Sequence, residues 1–186
     1  MSLLSNDKKS QIFRDFLRTE EWSYHVSVAR MRNMQQHFRD ITHYQNVFNR
    51  IEYNLNKKYL STRWNKFDMK DRFYFVGFTH GTPQEREQHF HFLLHTPLQF
   101  FKNEFYKEEV SKVIKLDFLT QTLDRLDKRL HDYVLQEFER TTNELINIKR
   151  IADTDYHNEV TEYHTKWKMK EQLFDIDDCF DFFYVS

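Results

Sequence analysis

The sequence contains few of the residues that interrupt regular structure. Its 186 residues include only two glycines, two prolines and one cysteine. So few glycines and prolines argue against a loop-rich or low-complexity chain and favour long helices and strands. The single cysteine, Cys179, excludes a disulfide within the chain, and we expect a reducing compartment. No Gly-x-x-x-x-Gly-Lys loop occurs, so the chain holds no P-loop helicase.

Long apolar runs and a strong net charge are also absent. No apolar run is long enough to cross a bilayer, and the opening "MSLLSNDKKSQIF" lacks the apolar centre of a signal peptide. The formal net charge of -1 excludes attraction to nucleic acid through bulk charge, so any such contact must be a local patch. We therefore expect a cytoplasmic protein without a membrane segment. The oligomeric state is left open.

The order of apolar patterns predicts an α+β domain. Alternation predicts strands in "WSYHVSVAR", "DRFYFVGFTH", "HFHFLLHT" and "ELINIKRI". Helical spacing predicts helices over 7–20, about 33–60, 97 to about 143, and "DYHNEVTEYHTKWKMK". Without the terminal helices the order is β-α-β-β-α-β, which is the ferredoxin-like split βαβ arrangement of a central antiparallel sheet with helices. The C-terminal half is expected to be rich in helix.

We predict a single domain over residues 1–186. Its core would span about 20–170, because no linker or internal repeat divides this part of the chain. The tail, residues 171–186, is acidic and aromatic. The sequence leaves open whether this tail docks on the core or on a partner.

Two histidines share one face of the third predicted strand. His89 and His91 are two residues apart, so both leave the same side of the strand, about 6.5 Å apart at the backbone. Neutral imidazole binds divalent metals, but the pattern also suits two solvated histidines on a half-buried strand. His80, at the end of the preceding strand, is either a third ligand or an exposed loop histidine. His95 lies on the same face, two pleats farther along.

A tyrosine and a lysine share one face of the last predicted helix. Tyr163 and Lys166 are three residues apart, and a phenolate beside an ammonium suits nucleophilic attack on a metal-polarised phosphodiester. The alternative is an amphipathic helix that buries its aromatic residue and leaves its lysine at the surface. Tyr156 is a competing nucleophile about 10 Å earlier along the helix. It is followed three residues later by Glu159 rather than by a lysine.

These motifs together resemble the HUH endonucleases. The strand "HFHFLL" and the later "INIKRI…YHTK" are most similar to the single-tyrosine initiators of rolling-circle replication, over about residues 20–170. The resemblance implies that His89 and His91 bind Mn or Mg, that Tyr163 is the nucleophile and that Lys166 assists it. The family usually adds a third polar ligand, often a carboxylate on the neighbouring strand. The segment "VGFTHG" has no acid there, and His80 is the nearest replacement.

The resemblance also implies an activity and a set of partners. The protein would be a metal-dependent, site-specific endonuclease and ligase of single-stranded DNA. It would nick an origin or hairpin through a covalent 5′-phosphotyrosine, to initiate the replication of a plasmid or a virus. A separate helicase would unwind the duplex. A transposase or a mobilisation relaxase of the same superfamily would share this chemistry.

The most basic stretch, "NKKYLSTRWNKFDMKDR", is a candidate DNA contact. Cations with interleaved aromatic residues suit phosphate contacts and base stacking, although a solvated helix end followed by a loop has the same composition. The candidate contacts are Lys57, Lys58, Arg63, Trp64, Lys66 and Arg72.

A function from a different class is also open. The chain could be a non-catalytic interaction protein with an aromatic-rich helical half and an acidic tail. In that case His89 and His91 would be exposed, and no third ligand would lie near them.

Overall fold

Alternating sequences form the strands of one antiparallel sheet. The computed structural model describes residues 6–28, 41–80, 89–101, 104–124, 128, 131–132, 135–136, 146–151, 155–162 and 179–181. The strands are β1 (Trp22–Val28), β2 (Tyr74–His80), β3 (His89–His95), β4 (Ile146–Arg150) and β5 (Cys179–Asp181). They are ordered β4-β1-β3-β2-β5, and every neighbouring pair is antiparallel. The prediction of an α+β fold with an antiparallel sheet is confirmed.

Helices precede and separate these strands. They are α1 (Asn6–Thr19), α2 (Ile41–Tyr59), α3 (Leu98–Phe101) and α4 (Glu104–Asp124), with 3₁₀ turns at Trp64–Lys66 and Met69–Asp71. Residues 155–162 are also helical. The rest of the C-terminal half, which was predicted to be rich in helix, lies largely outside the described residues. Among the described residues, no helix is both long and apolar enough to cross a lipid bilayer.

One face of the sheet packs against α2 and α4. Apolar residues recur along α2 at steps of three and four, so they form one stripe that faces the sheet. The ring of Phe48 stacks on Phe92 with 3.5 Å between centroids, and Tyr44 stacks on Phe90 at 3.9 Å. All four of these residues are buried. Every second residue of β3 therefore belongs to the main core.

The opposite sheet face is covered over part of its length by α1 and by residues 155–162. The apolar cluster on this face consists of Leu17, Trp22, Tyr74, Val76, Phe78, Leu93, Ile151 and Val160. Trp22 and Tyr24 both pack inward, but on different faces, because the register of β1 shifts between them. A bulge of this kind adds one residue and reverses the alternation. The Trp22 indole N–H donates to the Leu17 carbonyl at 2.9 Å.

The C-terminal tail contributes the last strand of the sheet. Residues Cys179–Asp181 pair with Val76–Phe78 on the edge of β2. Strand pairing satisfies backbone groups that an uncovered edge would leave available for other chains. The docking of the tail, which the sequence left open, therefore includes a β-strand on the core.

Asn56 joins the end of α2 to the residue that leads into β2. Its side chain is buried; Oδ1 accepts from the Phe73 N–H at 2.9 Å, and Nδ2 donates to the Phe73 carbonyl at 2.8 Å. One turn earlier, Glu52 Oε2 accepts from the Phe75 N–H at 3.2 Å. These two side chains bond to backbone groups at the start of β2, just as the backbone of β5 pairs with residues farther along β2. They satisfy backbone groups that would be costly to bury without partners.

Replacement of Asn56 by alanine should lower the free energy of unfolding by about 3 kcal/mol, because it leaves the buried amide and carbonyl of Phe73 without these partners. The matched control is Asn46→Ala on the exposed side of α2, which should change it by less than about 0.5 kcal/mol. Urea denaturation followed by circular dichroism measures both values. Equal effects of the two substitutions would contradict this role of Asn56.

Candidate functional site

The alternation of β3 places His91 on the sheet face opposite α2 and α4, which we call the histidine face. Phe90 and Phe92 pack under α2, so the residue between them must leave the other side of the strand. Its cross-strand partners are Ser27 on β1 and Phe78 on β2. The His91 side chain is only 8% exposed. It is therefore not a solvated surface histidine.

Two side chains of β1 contact the same nitrogen of His91. Its Nδ1 lies 3.0 Å from His25 Nε2 and 3.0 Å from Ser27 Oγ. The rings of His25 and His91 are stacked, with 5.0 Å between centroids and 16° between planes. The alternation of "WSYHVSV" puts His25 and Ser27 on one polar side of β1, but the sequence alone does not connect them with His91. The missing information was that β1 and β3 are neighbours.

His25 is held in its neutral form. Burial, and then the positive charge of Lys149, lower the pKa of His25 from 6.5 to about 4. Lys149 is the cross-strand partner of His25 on β4. A charged imidazole loses its hydration on burial and is repelled by the nearby ammonium, so both causes favour the neutral ring.

A neutral His25 can act as the acceptor for His91. A neutral imidazole has one N–H donor and one lone pair, so a hydrogen bond between two rings requires opposite roles. When the His91 Nδ1–H donates to His25 Nε2 and to Ser27 Oγ, the lone pair of His91 is on Nε2. This is the arrangement in which metal-binding histidines are usually oriented by a second group.

The other two predicted ligands, His80 and His89, lie at one end of β2 and β3. His80 and His89 are directly paired in the β2–β3 ladder, two residues beyond the pairing of Phe78 with His91. The side chains of His80 and His89 lie outside the described residues. Among the side chains that are described, no group of three or more His, Cys, Asp or Glu residues could hold a metal ion.

The helical segment that leads into Tyr163 packs on the histidine face. Val160 is buried in the same cluster as Phe78 and Leu93, and Leu93 is two residues from His91 on β3. His157 Nε2 lies 2.9 Å from the Glu20 carbonyl, which anchors the segment beside the end of α1. Tyr163 and Lys166 lie outside the described residues, and the description of this segment ends at residue 162.

Tyr156 is poorly suited to be the nucleophile. Burial, and then the carboxylate of Glu159, raise the pKa of Tyr156 above its usual value of 10.0. A raised pKa lowers the fraction of phenolate at neutral pH, and the phenolate is the attacking form. Tyr156 also packs against the apolar cluster of this face.

His95 has a structural role at the far end of β3. Its two ring nitrogens lie 3.0 Å from the Glu21 carbonyl and 3.1 Å from the Lys70 carbonyl. Its ring stacks on Tyr74 with 4.6 Å between centroids. About 13 Å of strand separates the Cα atoms of His91 and His95. His95 therefore links two backbone segments and does not converge with His91.

The predicted DNA contacts lie beyond the same far end of the sheet. Lys57, Lys58, Arg63 and Lys66 are exposed, and Lys58 Nζ lies 3.5 Å from Glu109 Oε2. Trp64 is buried, with Arg72 over its ring at 5.9 Å and Tyr53 edge-on at 6.3 Å. The indole therefore anchors the basic segment in this structure and does not present an open stacking face.

Comparison with known proteins adds no assignment. No protein-family model matches the chain, and searches of curated proteins and of solved structures find no significant match.

The neutral state of His25 predicts acid sensitivity of the metal-free protein. Its folded pKa of about 4 lies below the unfolded value of 6.5, so between these pH values unfolding takes up a proton. This contribution to stability is present above pH 6.5 and is lost as the pH falls towards 4. Wild type should lose about 2 kcal/mol more stability than His25→Asn between pH 7 and pH 5.

Urea denaturation at several pH values in the presence of a chelator measures this difference. Both proteins share all other titrating groups, so the comparison isolates His25. Parallel stability profiles for the two proteins would show that His25 is not held neutral by the fold.

Proposed function

We propose that this protein is a metal-dependent endonuclease of the HUH type, which nicks single-stranded DNA through a tyrosine nucleophile to initiate rolling-circle replication. The observation that carries the proposal is a shared surface. His91 lies on the histidine face, and the described helical residues 155–162, which directly precede Tyr163 in the sequence, pack on that same face. The nucleophile and the metal ligands must meet at one phosphate, so a common face is a requirement of the reaction.

The sheet topology supports the same proposal. Apart from β5, the strands are ordered β4-β1-β3-β2, with α2 between β1 and β2 and with α3 and α4 between β3 and β4. We propose that this is the ferredoxin-like split βαβ arrangement. The histidine strand then lies at the centre of the sheet, where pairing on both sides holds its backbone.

A divalent metal would be held by histidines of β2 and β3. His91 would bind through Nε2, because its Nδ1 is engaged by His25 and Ser27. His89 and His80 would complete the ligand set from the end of the β2–β3 ladder. The resemblance favours Mn or Mg, which, when bound, would polarise the phosphate that is cleaved.

The chain's own groups would carry out the transfer. The Tyr163 phenol would lose its proton, and its oxygen would attack the phosphorus while the bond from phosphorus to the 3′ oxygen breaks. The 3′ oxygen would take up a proton and become a free hydroxyl, and the 5′ phosphate would remain on Tyr163. Lys166 would stabilise negative charge on the phosphate. The reverse reaction would reseal the strand.

A covalent DNA adduct is the decisive product. A pool of single-stranded and hairpin oligonucleotides, labelled at the 3′ end, should give a labelled protein band that survives SDS in the presence of Mn. Tyr163→Phe and His91→Ala should form no adduct, because they remove the nucleophile and a ligand. Tyr156→Phe is the matched control and should react like wild type.

Two results would contradict the proposal that Tyr163 is the nucleophile of a DNA-nicking enzyme. One is an adduct from Tyr163→Phe that is as abundant as the wild-type adduct. The other is the absence of any adduct from a folded wild-type protein across the whole pool.

The contacts to His91 Nδ1 predict a second effect, on metal affinity. Ser27→Ala and His25→Phe should each weaken Mn binding by about tenfold or more, because groups that orient a metal ligand typically contribute this much. Ser27→Thr retains the hydroxyl and should retain the affinity. Electron paramagnetic resonance of free Mn(II) measures binding directly. Equal affinity in all three variants and wild type would show that these contacts do not orient a ligand.

A further inference from the structure

A pocket of about 680 Å³ lies where the basic segment meets the start of α3. It is lined by Leu60, Phe67, Asp71, Pro97, Leu98 and Gln99. This volume is within the range of small-ligand sites, and a mainly apolar lining with a few polar groups is typical of them. The pocket is separate from the histidine face, because it lies beyond the end of β3 that carries His95.

The pocket has exposed apolar side chains at its opening. Phe67 is 42% exposed and Leu98 is 57% exposed. Only three other large hydrophobic residues in the described part of the chain are exposed, so two of five are gathered at this one pocket. A cluster of this kind indicates a contact surface more strongly than single exposed residues do.

Phe67, not Trp64, provides the accessible aromatic ring of the basic segment. Trp64 is buried, and the backbone N–H of Phe67 donates to the Trp64 carbonyl at 3.0 Å. The anchored indole thus holds the turn that presents Phe67. A partly exposed aromatic ring on a fixed turn can stack on an unpaired base at low cost in conformational entropy.

The charge around the pocket suits a phosphate backbone. Residues 57–72 contain six cations and two acids, in a chain whose net charge is -1. Arg63, Lys66 and Lys70 are exposed within a few residues of Phe67. These cations attract phosphates without regard to sequence.

We propose that this pocket binds an unpaired base of single-stranded DNA. Phe67 stacks on the base, Asp71 and Gln99 contact its polar edge, and Lys66 and Lys70 contact the flanking phosphates. The inference rests on the proposed function for the identity of the nucleic acid. A strand that also reached His91 would contact the pocket several nucleotides from the reacting phosphate.

Binding of fluorescent single-stranded oligonucleotides tests the pocket without the nicking reaction. The measurement uses the full chain carrying Tyr163→Phe, with a chelator present, so neither cleavage nor metal contributes. Phe67→Ala should weaken binding by about tenfold, whereas Phe67→Tyr should retain it, because base stacking needs the aromatic ring. The matched control is Ile12→Ala, which removes an apolar residue that is 57% exposed on α1 and should leave binding unchanged.

The salt dependence of binding tests the cations separately. In the double variant Lys66→Gln and Lys70→Gln, the slope of log affinity against log salt should become shallower by about 1, because up to two phosphate contacts are lost. Unchanged affinity in Phe67→Ala, an unchanged slope in the double variant, or no single-strand binding by the parent protein would each overturn the proposal. Normal binding without adduct formation by the wild-type enzyme would instead reject the nickase and leave the pocket in place.

Discussion

The packing of Phe90 and Phe92 beneath α2 is the interaction on which the rest of the structure depends. β3 pairs with β1 on one side and with β2 on the other, so two separate strand pairings fix its register. A shift of one residue would bury His91 among the aromatic rings of the main core and move both phenylalanines out of that core to the histidine face. The hydrophobic effect therefore specifies the register, and the register specifies which face carries the histidine.

The histidine face combines an apolar region with a polar one. Around Leu93 this face is covered by α1 and by the segment 155–162. Two residues away along β3, His91 contacts the side chains of His25 and Ser27. Nearby apolar packing lowers the local dielectric, which keeps His25 neutral and would strengthen the interactions of a bound ion. His25 is protonated only after it leaves this environment, so acid favours the unfolded state. We therefore expect the stability of the fold to decrease as the pH is lowered.

The two proposed sites lie towards opposite ends of the central strand β3, and they require different physical properties. The site at His91 needs exact ligand positions, and the centre of a paired sheet provides a rigid backbone. The pocket at Phe67 needs an accessible ring and nearby cations, and a turn anchored by Trp64 provides them. This separation would let phosphate and base contacts hold the DNA without disturbing the reacting groups.

The sequence alone determined the element types, the α+β class and the side of β3 on which His91 lies, since each follows from the local spacing of apolar residues. It also favours Tyr163 over Tyr156 as the nucleophile, which stays a prediction. Only the tertiary structure brought His25 to His91, 66 residues away, and buried Trp64 beneath Arg72. Local periodicity reports which side of an element is apolar. Which residues become neighbours across a sheet depends on long-range pairing, and no single segment encodes that.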